Sequence, residues 1–184
     1  MPRKVLLCLC IGLSSVAFCS TALADVSVFF DPFSQQVMTG QQVNVDMVVT
    51  GLGNFAPPSV GSFDLTAAFD LTLLLPTTVT FGPFLGDPNL GQAITAFQFS
   101  ASEVEFTEIS LLTPQQLDAL QPGQFTLATL SFTALRDGTA TFSLVDGVVD
   151  DPFGHKLFAV PEPGSLLMLW SGVLTAFGLH RRWH

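Results

Sequence analysis

The chain has no tyrosine, and both tryptophans, Trp170 and Trp183, lie close to its C-terminus. All three cysteines, Cys8, Cys10 and Cys19, precede residue 25. Between residues 25 and 160 there is one histidine, His155, and two cations, Arg136 and Lys156, against 14 carboxylates, a net charge of −12. Each scarcity excludes something. Without a thiol, residues 25–160 form no disulfide and hold no cysteine-bound metal. With so few cations they cannot neutralise a phosphate backbone, which rules out electrostatic nucleic-acid binding. One histidine and no G-x-S-x-G elbow give no hydrolytic triad, and His155 follows Asp151-Pro152-Phe153-Gly154, a solvated turn. Disorder is excluded too, because the chain is 48% hydrophobic and 16 of its 18 phenylalanines fall within 25–160.

Carboxylates supply the remaining candidate chemistry. Glu103 and Glu105 share a strand face at a spacing of about 6.6 Å. A glycosidase also needs a cleft and sugar-stacking rings, and Trp and Tyr are missing here, so a charged outer face is the plainer reading. Asp146, Asp150 and Asp151, with Asp25 and Asp31 near the start of the body, are weak Ca²⁺ candidates. Their spacing is not that of an EF-hand, so no metal or other cofactor is assigned and turn-forming aspartates are expected. Phe29, Phe33, Phe55 and Phe84 do not follow the in-facing pattern and are candidates for an exposed patch.

Both ends carry targeting features. Arg3 and Lys4 precede an apolar run from Val5 to Phe18, and Ala22 and Ala24 give an A-x-A exit, so residues 1–24 are expected to be a signal peptide cleaved before Asp25. The alternative, an uncleaved anchor, needs a longer run. At the other end Pro161-Glu162-Pro163 leads into an uncharged stretch, 164–179, and then Arg181-Arg182. As a helix this stretch spans about 24 Å, a little short of a bilayer core, and Trp183 and the arginines extend its reach. The basic pair stays inside and the body outside by the positive-inside rule. A buried C-terminal helix of the domain is the alternative, but this segment is apolar all round. Proline fixes φ and lacks a donor, so Pro161-Glu162-Pro163 is an extended strip just outside the membrane, a shape that a processing cleft holds.

Pro161-Glu162-Pro163, the apolar helix 165–179 and the terminal Arg181-Arg182, in that order, resemble the PEP-CTERM sorting signal of Gram-negative bacteria. The resemblance implies processing by an exosortase, a transpeptidase-like enzyme of the inner membrane, with cleavage near Pro161-Glu162-Pro163. It implies an inner-membrane-tethered precursor whose body passes to the cell envelope or extracellular matrix, often alongside exopolysaccharide.

The body, 25–160, reads as strands. Val43, Val45, Met47 and Val49 form one period-two series, Phe63, Leu65, Ala67 and Phe69 a second, and Ala140, Phe142 and Leu144 a third. Weaker strands are expected at Val26–Phe30, Thr78–Phe84, Ile94–Phe99, Val104–Ile109 and Leu157–Val160. Phe125 and Leu127 are out of phase with Leu130 and Phe132, which predicts a bulge near Ala128-Thr129. Asp137-Gly138 between two strands predicts a hairpin. Thr113-Pro114-Gln115-Gln116 is a capping box opening a helix over Gln115–Leu120, with Leu117 and Leu120 packing down, stopped by Pro122-Gly123. Short strands at this density give an all-β, two-sheet sandwich with one short helix, flanked by an N-terminal signal helix and a C-terminal transmembrane helix.

Three segments resemble the cohesin-like domain of PEP-CTERM proteins and cellulosome scaffolds. They are Gln42–Met47 followed by Gly61–Leu65, Leu127–Ala134 followed by Gly138–Phe142, and Val148-Val149-Asp150. The resemblance implies a nine-strand jelly-roll. Together these features describe an exported, non-enzymatic envelope or matrix protein with a sandwich for adhesion or protein assembly. The alternative is an exopolysaccharide-binding module.

Overall fold

In-and-out alternation becomes ten strands in the computed structural model, which describes residues 25–160. The expected signal peptide with Ala22 and Ala24, and the expected tail with Pro161, Glu162, Pro163, Arg181 and Arg182, lie outside the described residues. Among the described residues no helix is long and apolar enough to cross a membrane.

The strands are β1 (Ser27–Asp31), β2 (Ser34–Val37), β3 (Gln42–Thr50), β4 (Ser62–Phe69), β5 (Leu74–Phe81), β6 (Ala93–Ser100), β7 (Glu103–Ser110), β8 (Gln124–Ala134), β9 (Gly138–Asp150) and β10 (Lys156–Ala159). They form two antiparallel sheets. The smaller has the order β1-β3-β8-β5, the larger β10-β9-β4-β7-β6, and β2 also pairs with β9. β2 pairs with the start of β9 and β10 with its end.

The predicted in-facing series hold. Val43, Val45, Met47 and Val49 of β3, and Phe63, Leu65, Ala67 and Phe69 of β4, are all buried. Of the 16 phenylalanines of the body, seven are buried and four more pack partly against the core. They tie one sheet to the other. Phe69 of β4 meets Phe132 of β8 at 4.9 Å, Phe132 meets Phe142 of β9 at 5.4 Å, and Phe142 meets Phe30 of β1 at 5.8 Å. Nearer the other end Phe63 of β4 lies 6.2 Å from Phe81 of β5. Each such ring contributes on the order of 2 kcal/mol by burial, with up to about 1 kcal/mol more per well-oriented pair.

The bulge in β8 is present one residue earlier than predicted. Met47 pairs with Ala128 and Val48 with Thr126, so Leu127 is the extra residue, and Leu127 and Ala128 are both buried. The hairpin expected at Asp137-Gly138 is absent, because β8 and β9 belong to different sheets. Phe132 of β8 and Phe142 of β9 instead meet across the core. Thr39 holds the crossover, its N–H and hydroxyl both donating to Asp137 Oδ1 at 2.7 and 2.9 Å. The two-residue hairpin lies instead between β6 and β7, at Ala101-Ser102, with Ala101 at φ 41°.

The helix α1 (Pro114–Leu120) has the predicted capping box, with Thr113 and Gln116 bonding reciprocally. Leu117 is buried, but Leu120 is exposed, contrary to expectation. Gln121, just after α1, is wholly buried and fully bonded. Its side chain accepts from Val60 N at 2.6 Å and donates to the carbonyls of Val60 and Phe84 at 2.8 and 3.1 Å.

Gly147 lies opposite Leu65, where β9 pairs with β4 beside a register shift. It sits at φ +147°, and a Cβ there would lie 2.6 Å from both the Asp64 carbonyl oxygen and Leu65 Cδ2. Gly154 has φ +80°, but a Cβ at that position would meet nothing within 4 Å. Gly147→Ala is therefore expected to lower unfolding free energy by about 2–4 kcal/mol, against about 1 kcal/mol for Gly154→Ala, as measured by urea denaturation. Equal losses would refute the close-approach account.

Candidate functional site

β7 alternates between two very different faces. Val104, Phe106 and Glu108 point inward and are buried; Glu103, Glu105 and Ile109 point outward and are exposed. The outer face continues onto the neighbouring strands in register. Glu105 is flanked by Thr66 of β4 and Gln98 of β6, Thr107 by Asp64 and Ala96, and Ile109 by Ser62 and Ile94. Thr107 Oγ1 donates to Asp64 Oδ1 at 2.9 Å. Ile94 and Ile109, both about half exposed, form an apolar cross-strand pair beside a row of acids. β4, β7 and β6 contain no lysine or arginine. A broad acidic face with an apolar spot suits a partner that brings basic and apolar side chains.

The sequence-derived candidates scatter. Glu103 and Glu105 do share the outer face of β7, but the concavity beside them, about 150 Å³, is lined by Ala96, Phe97, Gln98, Glu105 and Thr107 and so contains one carboxylate. That is not the facing pair glycoside hydrolysis uses. The Ca²⁺ candidates are not assembled. Asp146 pairs with Thr66 and Asp150 with Ser62, four residues along β4 and so about 13 Å apart. Asp146 Oδ1 accepts from Gly147 N, and among the described residues no group of three or more His, Cys, Asp or Glu side chains is placed to hold a metal.

Asp151 closes a turn. Its Oδ1 accepts the backbone N–H groups of Phe153 and His155, both at 2.8 Å, and its Oδ2 lies 2.9 Å from His155 Nδ1. Burial pushes its carboxyl up, but the His155 backbone and ring and the Phe153 N–H together bring it below the usual range. His155 is thus a turn residue with its ring in solvent. Asp70 and Asp137 likewise lie below the ordinary carboxylate range, Asp70 chiefly through the Thr72 hydroxyl and Asp137 chiefly through the Thr39 backbone N–H.

The aromatic candidates do not form one patch. Phe84 packs on Phe125 at 4.8 Å and joins the core. Phe29, Phe33 and Phe55 are exposed, but Phe33 follows one end of β1 and Phe55 lies in the loop beyond Thr50, which pairs with the other end. Phe97 and Phe153 are exposed as well, although the sequence pattern does not single them out.

Glu108 is the group that the sequence reasoning missed, though it shares the phase of Val104 and Phe106. It is wholly buried, and neither carboxyl oxygen has a hydrogen-bond partner. Burial alone pushes its pKa up to about 8.

No family model matches the sequence, and no curated protein resembles it in sequence. The fold has counterparts among solved structures. The sixth cohesin of scaffoldin B from Acetivibrio cellulolyticus, solved with a mutant dockerin, matches with a TM-score of 0.57 at 15% identity, over 73% of this chain and 92% of that one. A chain of a type I cohesin–dockerin complex from Clostridium thermocellum matches with a TM-score of 0.57 at 10% identity, over 74% and 92%. A type II cohesin domain from the cellulosome of Acetivibrio cellulolyticus gives 0.57 at 14%, over 74% and 90%. The body is a cohesin-like, two-sheet β-sandwich with one α-helix, with ten strands where the sequence resemblance implied nine.

Glu108 makes stability depend on pH. The unfolded chain releases this proton near 4.5, whereas the folded chain keeps it up to about 8. The contribution is fully present below the lower value and is lost as pH rises through the upper one. Across that window wild type should lose on the order of 1 kcal/mol per pH unit relative to Glu108→Gln, which has no proton to lose. Urea unfolding of both proteins across the window measures the difference; parallel pH profiles would show that Glu108 is solvated.

Proposed function

We propose that this chain is an exported, non-enzymatic assembly or adhesion protein whose sandwich docks a protein partner on the outer face of β4, β7 and β6. The observation that carries the reading is that face itself: acids and hydroxyls around the exposed Ile94–Ile109 pair, on three strands without a cation. The fold supports it, since solved structures of similar fold include cohesins in complex with dockerins. The Pro161-Glu162-Pro163 strip, the apolar stretch after it and Arg181-Arg182 act as a sorting signal for an exosortase. The precursor is tethered in the inner membrane, and the processed body resides in the envelope or extracellular matrix.

A second reading, binding of exopolysaccharide, is favoured by one feature. The concavity on the outer face, about 150 Å³, brings together the hydrogen-bonding side chains of Gln98, Glu105 and Thr107. Binding to a polysaccharide array that is lost in Gln98→Ala and kept in Ile109→Arg would favour this reading over protein docking.

Two outcomes are expected for the main reading. Ile109→Arg and Glu105→Lys, both exposed, should leave the melting temperature almost unchanged while weakening capture of the native partner by about tenfold or more, measured by quantitative co-purification from the producing cells' envelope fraction. Undiminished capture would remove this face from the function. Replacing Pro161, Glu162 and Pro163 with alanine should leave the precursor uncleaved and membrane-bound in cell fractionation; normal release would refute the sorting role.

A further inference from the structure

The outer edges of the two sheets are not alike. β1 is five residues long and ends on the exposed Asp31, and β5 contains Pro76 and breaks register at Thr77. β2 and β10 are four residues each, and β10 carries Lys156 and a register shift. Shortness, charge, proline and bulges all discourage strand addition. β6 has none of these. Its eight residues, Ala-Ile-Thr-Ala-Phe-Gln-Phe-Ser, are uncharged and free of proline, and they pair with β7 without a break. Among the described residues no strand covers its other side.

We propose that β6 is an assembly edge, at which a second copy of this chain adds its own β6 antiparallel about a two-fold axis through Phe97. The result is one continuous sheet across two molecules. This inference is independent of the docking face, which lies on the flat of the sheet.

Self-pairing fits the side chains. Opposite residues of an antiparallel pair share a face. With Phe97 on the axis, Phe97 meets Phe97 and Thr95 meets Phe99, all on the side of the buried Phe106 with which Phe97 pairs. Ala96 then meets Gln98, and Ile94 meets Ser100, on the outer side. Phe97 is 46% exposed although it shares the inward side with Phe106. Its ring already lies edge-on to Phe99 at 5.5 Å, so the pairing gathers four rings and covers the exposed ones. Charge also favours a second copy. The body carries −12, yet this strand contributes none of it, so two copies meet along β6 with no carboxylate facing another. An interface in which one patch contacts itself is the isologous arrangement most homodimers use.

Sedimentation of the full chain in density-matched detergent tests this. A reversible dimer in the micromolar range is expected. Phe97→Lys should weaken it by about tenfold or more by setting two cations on the axis, and so should Gln98→Lys at an exposed position of the same strand. Mixing Phe97→Lys with Phe97→Glu should restore dimers, now heterodimers. Unshifted melting curves for the variants confirm folding. A monomer at about 100 µM overturns the proposal, as does a dimer indifferent to both lysine variants or one that the mixed pair fails to restore. A monomer that instead takes up a foreign extended peptide at β6 overturns it as well.

Discussion

Two apolar sheet faces closing on each other set the terms for everything else in this domain. No disulfide or metal ligand of cysteine is available to the body, so the faces are held by side-chain burial alone, and phenylalanine supplies much of it. The rings of Phe69, Phe132, Phe142 and Phe30 form a chain that passes from sheet to sheet and back. An interior built this way has a low dielectric and little water, so any polar group within it must bring its own partners or change its state. Gln121 takes the first course, with every hydrogen-bonding group of its amide oriented onto Val60 and Phe84. Glu108 takes the second and holds its proton.

The same constraint explains which parts of the fold were legible. Where one face is buried, alternation in sequence is alternation in space, and β3, β4 and the first half of β9 could be traced residue by residue. The phase slip in β8 was visible for the same reason, since Phe125 and Phe132 cannot both face the core without an extra residue. The capping box of Thr113 and Gln116 was legible because it is a local interaction. Asp137-Gly138 misled because turn chemistry reports that the chain reverses, not in which plane. Reversal across the core and reversal within a sheet use the same residues. Ala101-Ser102 was invisible because neither residue is a strong turn former, and the tight turn there follows from β6 and β7 pairing over their full length.

The candidate site was less legible than the fold. Strand parity did place Glu103 and Glu105 outside, and applied to Glu108 it would have placed that residue inside. What parity cannot give is which acids converge, because convergence depends on strand order. Asp146 and Asp150 looked close in sequence and lie well apart along β4. Asp70 and Asp151 accept from donors within their own turns, as expected of turn-forming aspartates, whereas Asp137 accepts from Thr39, which is distant in sequence. Asp64, Glu103 and Glu105 stand on the outer face of the larger sheet.

That division bears on the kind of function the body supports. A catalytic carboxylate gains its power from convergence in a cleft, where burial and a close partner move its proton affinity apart from its neighbour's. In this molecule the carboxyl most displaced from its ordinary value is sealed inside the core, out of reach of any substrate, and the exposed carboxylates stand on an open sheet surface. Among the described residues the one carboxyl whose proton affinity is clearly raised is thus the one closed off from solvent. What the outer face offers is area, charge of one sign and an apolar contact at Ile94 and Ile109, the elements on which the proposed docking rests.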